Sequence, residues 1–187
     1  RREQVSRMLG LARYYFPLFE QTLDKYNMPL ELKYLAVVES ALNPTARSRV
    51  GAAGLWQFMY STGKLNGLSV NSYVDERHDP IKSTEAACRY LTTLYNIFGD
   101  WNLALAAYNS GPGNVNKAIR RSGGQTNYWA IRPFLPRETA GYVPAFIAVN
   151  YIMNYHEEHL LFATDIKPSF FSTDTVVIRE KVSFEQL

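Results

Sequence analysis

Glu39 is the carboxylate best placed in this sequence to act as an acid. It lies in Ala36-Val37-Val38-Glu39-Ser40-Ala41-Leu42, an apolar run near the C-terminal end of a predicted helix. The carbonyl end of a helix carries partial negative charge, and burial disfavours a bare carboxylate, so both effects keep the proton on. A carboxylic acid held protonated near neutral pH is what cleavage of an acetal requires, because the leaving oxygen must receive a proton. The same local pattern also suits a Glu that merely projects from a helix surface.

Two further segments could meet a ligand. Gly51-Ala52-Ala53-Gly54-Leu55-Trp56-Gln57-Phe58-Met59 offers small residues that admit close backbone approach, then a ring face at Trp56 and an amide at Gln57. Taken alone, it is equally a glycine loop that packs the start of an aromatic helix. Ala106-Ala107-Tyr108-Asn109-Ser110-Gly111-Pro112-Gly113 ends a helix in polar groups and a turn, which puts Tyr108 and Asn109 at an element boundary. The acidic run Asp75-Glu76-Arg77-His78-Asp79 has metal-ligand residue types, but Asp79 directly before Pro80 reads as a helix cap, with local ion pairs around it. Cys88, the only cysteine, rules out an intrachain disulfide and reads as a small buried hydrophobe.

Helices must position these groups. Apolar spacing of three and four predicts a helix over Gln4–Tyr26, kinked or split at Pro17, and a second over Glu31–Leu42 that ends just after Glu39 because Pro44 follows. Residues 46–72 read as a loop that leads into a short helix. Further helices are expected from Pro80 to about Phe98, over Trp101–Tyr108, over Val115–Arg121 and from Arg137 to His159, with a polar loop over Ser122–Asn127. The β-branched stretch Thr173–Ile178 predicts a short C-terminal strand or arm. The fold class is mainly α, with one compact lobe over residues 1–160 and a tail or linker over 161–187.

Composition narrows the function. The 187 residues are 47% hydrophobic and 20% charged, a globular profile rather than a disordered one. A net charge of +3 is too small for a nucleic-acid footprint. Aromatics at 14%, with 13 Tyr and 3 Trp, suit the walls of a cleft that holds sugars or other rings. No run is long enough to span a membrane, and no signal segment opens the chain. Because it begins at Arg1, the sequence reads as a processed or excised piece, with any export signal, lipid anchor or appended module outside it.

In this order and spacing, the motifs resemble the soluble lytic transglycosylase (SLT) domain of bacterial peptidoglycan-cleaving enzymes, related in fold to goose-type lysozyme. The resemblance covers about residues 25 to 155. It is carried by Glu39-Ser40 with Asn43-Pro44, Ser48 ahead of Gly51–Met59, Ala107–Gly113, and Leu135-Pro136-Arg137-Glu138-Thr139-Ala140-Gly141-Tyr142-Val143. Trp56 and the approach to Asp79-Pro80 look most like the membrane-bound D-type branch. Tyr60 departs from the family, which usually has proline there, and this bears on where the local helix starts.

The resemblance implies a lysozyme-like lobe with Glu39 as sole catalytic acid and base, and no metal or organic cofactor. It implies that Ser48 hydrogen-bonds the N-acetyl group of the muramyl sugar and that Gln57 contacts the glycan near the scissile bond. Tyr108 and Asn109 would line the cleft and Tyr142 would sit near Glu39. Glu138 would touch substrate or form a structural ion pair. Most glycosidases use two carboxylates; the motif segments around Glu39 hold no second one, and a substrate that supplies its own nucleophiles needs none. The implied partner is the peptidoglycan glycan strand in the bacterial periplasm, with a membrane anchor or LysM-like modules beyond this chain. The competing readings are a goose-type lysozyme hydrolase and a catalytically silent glycan-binding domain.

Overall fold

Apolar stripes on short helices, rather than sheet pairing, assemble this chain. The structure is a computed structural model and describes residues 2–166 together with 178, 182 and 183. Helix α1 (Arg2–Lys25) turns Leu9, Ala12, Phe19 and Leu23 inward. It runs on as one helix through Pro17, where a kink or split is expected from sequence. Proline removes only one donor there, and Phe19 and Leu23, both fully buried, hold the helix to the core beyond it.

The helix expected from Glu31 divides in two. A 3-10 segment, Leu30–Tyr34, leads into helix α2 (Leu35–Ser40), and the tighter first half lets Leu32 and Tyr34 join Leu35, Ala36 and Val37 in the core. Ala41 and Leu42, at φ 51° and 61°, take the left-handed conformation and stop α2 one residue beyond Glu39. Non-glycine residues occupy this region only when their surroundings compensate, and here Leu42 is wholly buried.

Helix α3 (Tyr60–Leu65) begins at Tyr60 itself, so the missing proline leaves a helix start there. Helix α4 (Pro80–Phe98) is capped by the Asp79 carboxylate, which accepts from the amides of Ile81 and Lys82. Helix α5 (Trp101–Ser110) is capped by Asp100, and α6 (Pro112–Arg121) starts three residues earlier than expected because proline suits the first helical position. A short helix α7 (Tyr128–Ile131) and a 3-10 turn (Arg132–Phe134) fill a stretch that the sequence pattern leaves blank. Helix α8 (Arg137–Asn154) ends five residues before His159. There the chain turns back through Leu160 at φ 53°, and Leu161 is buried.

Leu103 to Ala107 are buried one after another, so α5 is enclosed on all sides, packing on α4, α6, α7 and α8. Thr164 N donates to Ser6 O at 2.9 Å, laying the described part of the tail along α1. The strand or arm expected over Thr173–Ile178 lies outside the described residues except for Ile178. Among the described residues, β-pairing is limited to isolated bridges, two of which join Ala53 to Arg47 and to Phe58.

One buried guanidinium shapes that glycine loop. Arg77 is 3% exposed and pairs with Asp75 at 2.7 Å, while its Nη1 donates to Gly51 O at 2.8 Å and Phe58 O at 3.0 Å. Asp75 and Asp79 thus serve as an ion-pair partner and a cap. Gly54, at φ +81°, presses against this segment so closely that a Cβ would lie 1.8 Å from Arg77 O. Gly54→Ala should therefore destabilise the protein by about 2–5 kcal/mol, from left-handed strain plus forced displacement. Gly113→Ala, on α6 with nothing within 4 Å of the added carbon, should cost nothing or gain up to about 1 kcal/mol. Denaturant unfolding of the two variants checks both values.

Candidate active site

A cleft of about 620 Å³ opens between α2, the 48–62 segment, α4, α5 and α8. Glu39, Ser48, Gln57, Tyr108, Asn109, Glu138 and Tyr142, all singled out from sequence, line it. Glu39 occupies the last turn of α2, and because α2 packs on α8 it meets Tyr142, whose hydroxyl donates to Glu39 Oε1. Burial pushes the Glu39 carboxyl up to about 7; the Tyr142 bond pulls down and the charge of Glu138 adds upward, but burial dominates. Burial and then the Glu39 charge hold the Tyr142 hydroxyl well above the usual tyrosine range, so it stays a proton-bearing donor.

Tyr108 is not a second donor to Glu39. Its hydroxyl donates to Trp56 O at 2.8 Å and ties α5 to the loop. Ser48 accepts the Ala52 amide at 2.9 Å, and no described residue takes the proton of its hydroxyl, which remains able to donate to a ligand. Gln57 stands at φ 47°, and its side-chain nitrogen donates to Gly54 O at 2.8 Å and Ala46 O at 3.2 Å. With that amide end engaged, its oxygen is the acceptor offered to the cleft. Asn109 Oδ1 accepts from Thr139 Oγ1 at 2.8 Å, and its Nδ2 donates to Glu138 Oε1 at 3.3 Å, linking α5 to α8. Glu138, exposed at the mouth, is the second carboxylate of the cleft.

Trp56 corrects the sequence reading. Its ring does not wall the cleft: it is 0% exposed, packs 5.0 Å from Phe19 and donates its indole N–H to Thr84 Oγ1 at 3.0 Å. A large ring with one polar atom is well satisfied in a core that supplies an acceptor. Tyr90 is the wall residue that sequence reasoning missed. It lies 5.4 Å from the Tyr108 ring and lines the cleft with Phe58 and Met59. Its position midway along α4 carries no local signal, since only the packing of α4 on α5 brings it there. Ser40, next to Glu39, braces the site, its hydroxyl lying 3.0 Å from Ala36 O and 2.9 Å from Leu55 O.

Comparison with known proteins gives concordant matches. Residues 17–130 match the family described as the transglycosylase SLT domain. The chain is 45% identical over 135 residues to the membrane-bound lytic murein transglycosylase D of Escherichia coli (strain K12), covering 70% of this chain and 29% of that protein. It is 34% identical over 127 residues to the soluble lytic murein transglycosylase of the same strain, covering 65% of this chain and 20% of that protein. The crystal structure of the 70 kDa soluble lytic transglycosylase from Escherichia coli superposes with a TM-score of 0.64 and 31% identity, over 82% of this chain and 26% of that one. The chain thus spans less than a third of each of these proteins. Among the described residues, no helix is long and apolar enough to cross a membrane.

The raised carboxyl has a consequence for stability. Between the ordinary glutamate value of 4.5 and about 7, the folded protein keeps a proton that the unfolded chain releases, so stability falls as pH rises through that window. Glu39→Gln should therefore match the wild type near pH 4 and exceed it above pH 7 by about 1–3 kcal/mol, a range reduced for the part of the side chain open to cleft water. Thermal unfolding at the two pH values is the measurement. Tyr142→Phe removes the one bond that lowers the Glu39 carboxyl, so its titration, followed by carboxyl-carbon NMR, should move above about 7.

Proposed function

Because this chain belongs to the transglycosylase SLT domain family, we propose that it is the catalytic domain of a peptidoglycan lytic transglycosylase. The observation that carries this reading is Glu39: a carboxyl raised to about 7, held by Tyr142 at the base of a cleft roomy enough for sugars.

In the proposed reaction, Glu39 delivers its proton to the glycosidic oxygen as the bond from C1 of N-acetylmuramic acid to N-acetylglucosamine breaks. The N-acetyl oxygen of the muramyl sugar stabilises C1. Glu39, now a carboxylate, removes the proton of the muramyl 6-hydroxyl, whose oxygen closes on C1 to give a 1,6-anhydro end without water. One group serves as acid and then base because its proton affinity lies near the working pH. Tyr142 stabilises the carboxylate between the two steps.

The free Ser48 proton suits the N-acetyl oxygen, and the Gln57 oxygen suits a sugar hydroxyl beside the scissile bond. Tyr108 and Tyr90 form an apolar wall that keeps water from C1. Asn109 and Glu138, hydrogen-bonded to each other, line the same cleft. In this proposal residues 1–160 are the catalytic unit and 161–187 a tail. The chain works in the periplasm of a bacterial envelope, with membrane attachment or wall-binding modules carried outside it.

Glu138 favours one rival, a hydrolase in which a second carboxylate activates water. Mass spectrometry of muropeptides released from purified sacculi separates the two. Products lighter than the hydrolytic ones by one water and inert to borohydride are expected; mostly reducible muramic acid ends would assign the rival, with Glu138 as base. Glu39→Gln should lower turnover by more than about 1,000-fold while binding persists, since general acid–base catalysis at two steps is lost. Activity should decline as pH rises past about 7, because the first step needs protonated Glu39; a flat profile from pH 5 to pH 9 would identify another acid.

A further inference from the structure

Between Asp100 and Glu138 the chain carries Lys117, Arg120, Arg121, Arg132 and Arg137 and no carboxylate, although the whole chain is only +3. Helix α6 packs on α7 and on the Arg132–Phe134 turn, Arg121 lies over the Phe134 ring, and Arg137 opens α8 three residues beyond that turn, so these residues come from neighbouring elements, and all five are exposed. Several cations elsewhere have carboxylate partners, among them Lys25 with Glu85 at 2.9 Å, Lys33 with Glu20 at 2.5 Å, Arg77 with Asp75 at 2.7 Å, and Lys82 with Glu76, while those without one, such as Arg7, Arg13 and Lys64, are scattered along the chain. None of the five has a carboxylate of the described residues at ion-pairing distance. Arg132 Nε donates to Ala140 O at 2.7 Å and Arg121 lies 5.9 Å from the centre of the Phe134 ring, which orients both without neutralising them. Two exposed rings belong to the same elements, Phe134 (36% exposed) under Arg121 and Trp129 (49% exposed) on α7. Unpaired like charges interleaved with exposed rings form the composition of a recognition surface for an anion-bearing partner.

This face is continuous with the cleft. Gly111 lines the cleft and is the residue from which α6 departs, and Arg137 immediately precedes Glu138. A ligand leaving the cleft on that side meets α6 next. We propose that this face docks an acidic peptide: the carboxylate-bearing peptides attached to a glycan strand whose sugars lie in the cleft. The inference rests on the peptidoglycan reading above and extends it from the sugars to their substituents. An anionic membrane would also meet cations, but the continuity with the cleft favours a group covalently joined to the cleft's own ligand.

Binding is measured by co-sedimentation, with Glu39→Gln as the reference protein, on insoluble peptidoglycan carrying its peptides and on the same material stripped of them by an amidase. The triple substitution Lys117→Gln, Arg120→Gln, Arg121→Gln in that background should weaken binding about tenfold on peptide-bearing material and leave it unchanged on stripped material. Raising salt from about 50 to about 300 mM should erase the difference. Arg120→Gln alone, with unfolding curves for both variants, guards against a folding defect and should show a loss of about two- to threefold. An equal loss on both materials, or none on the peptide-bearing one, overturns the proposal. So does a loss confined to phosphatidylglycerol vesicles, which would assign the face to a membrane. Failure of the wild type to cleave sacculi would overturn the transglycosylase reading alone, since the dependence of binding on peptides is read without turnover.

Discussion

The contact between the Tyr142 hydroxyl and the Glu39 carboxyl is the interaction on which the rest of this structure depends. Burial without a donor would hold Glu39 more strongly in the acid form, and an exposed Glu39 would hold no proton near neutrality. The tyrosine counters part of the burial and leaves the group near 7, between the two extremes. That compromise needs α2 to stop one residue after Glu39 and α8 to pass directly over it. The first is achieved by two left-handed residues, Ala41 and Leu42, and the second by packing of Tyr142, Val143 and Phe146 into the core.

The irregular segment from Ser48 to Met59 supplies about a third of the residues that line the cleft and has little regular structure of its own. Its rigidity is borrowed. Arg77 satisfies the carbonyls of Gly51 and Phe58, Trp56 is sunk in the core against Phe19, and Ser40 holds Leu55 O. A buried guanidinium costs desolvation unless its donors are met, and here Asp75 and two carbonyls meet them. Ser48 and Gln57 are thereby presented with one hydrogen-bonding end engaged and the other open, so a ligand encounters groups already oriented.

The enclosed helix α5 joins this segment to the Glu39–Tyr142 pair. Its small residues Ala104, Ala106 and Ala107 let α4, α6 and α8 approach closely, and its C-terminal Tyr108 and Asn109 emerge at the cleft, tied to the loop through Trp56 O and to α8 through Glu138 and Thr139. Core and site are therefore built from the same element, and a change in α5 packing would be felt at the cleft through Tyr108 and Asn109.

Much of this was written in local order along the chain. Helical periodicity, the Asp79-Pro80 cap and the Gly111 break depend on neighbours within a turn, so the sequence determined most helices, and a motif order that matches a family picked out the seven residues that line the cleft. It could not decide that Pro17 is tolerated, that the first half of the second helix winds as 3-10, or that α8 stops at Asn154, because each outcome reflects what the segment packs against. Trp56 shows the limit most sharply: its type and neighbours suit a ligand wall or a core equally, and only Phe19, some 37 positions away, and Thr84 settle it. Tyr90 is the converse, a cleft residue with no local mark. Tertiary structure alone brought Tyr142 to Glu39 across 103 residues, and with it the desolvation and hydrogen bonding that set the proton affinity, since both depend on distances between segments that the order of residues does not contain.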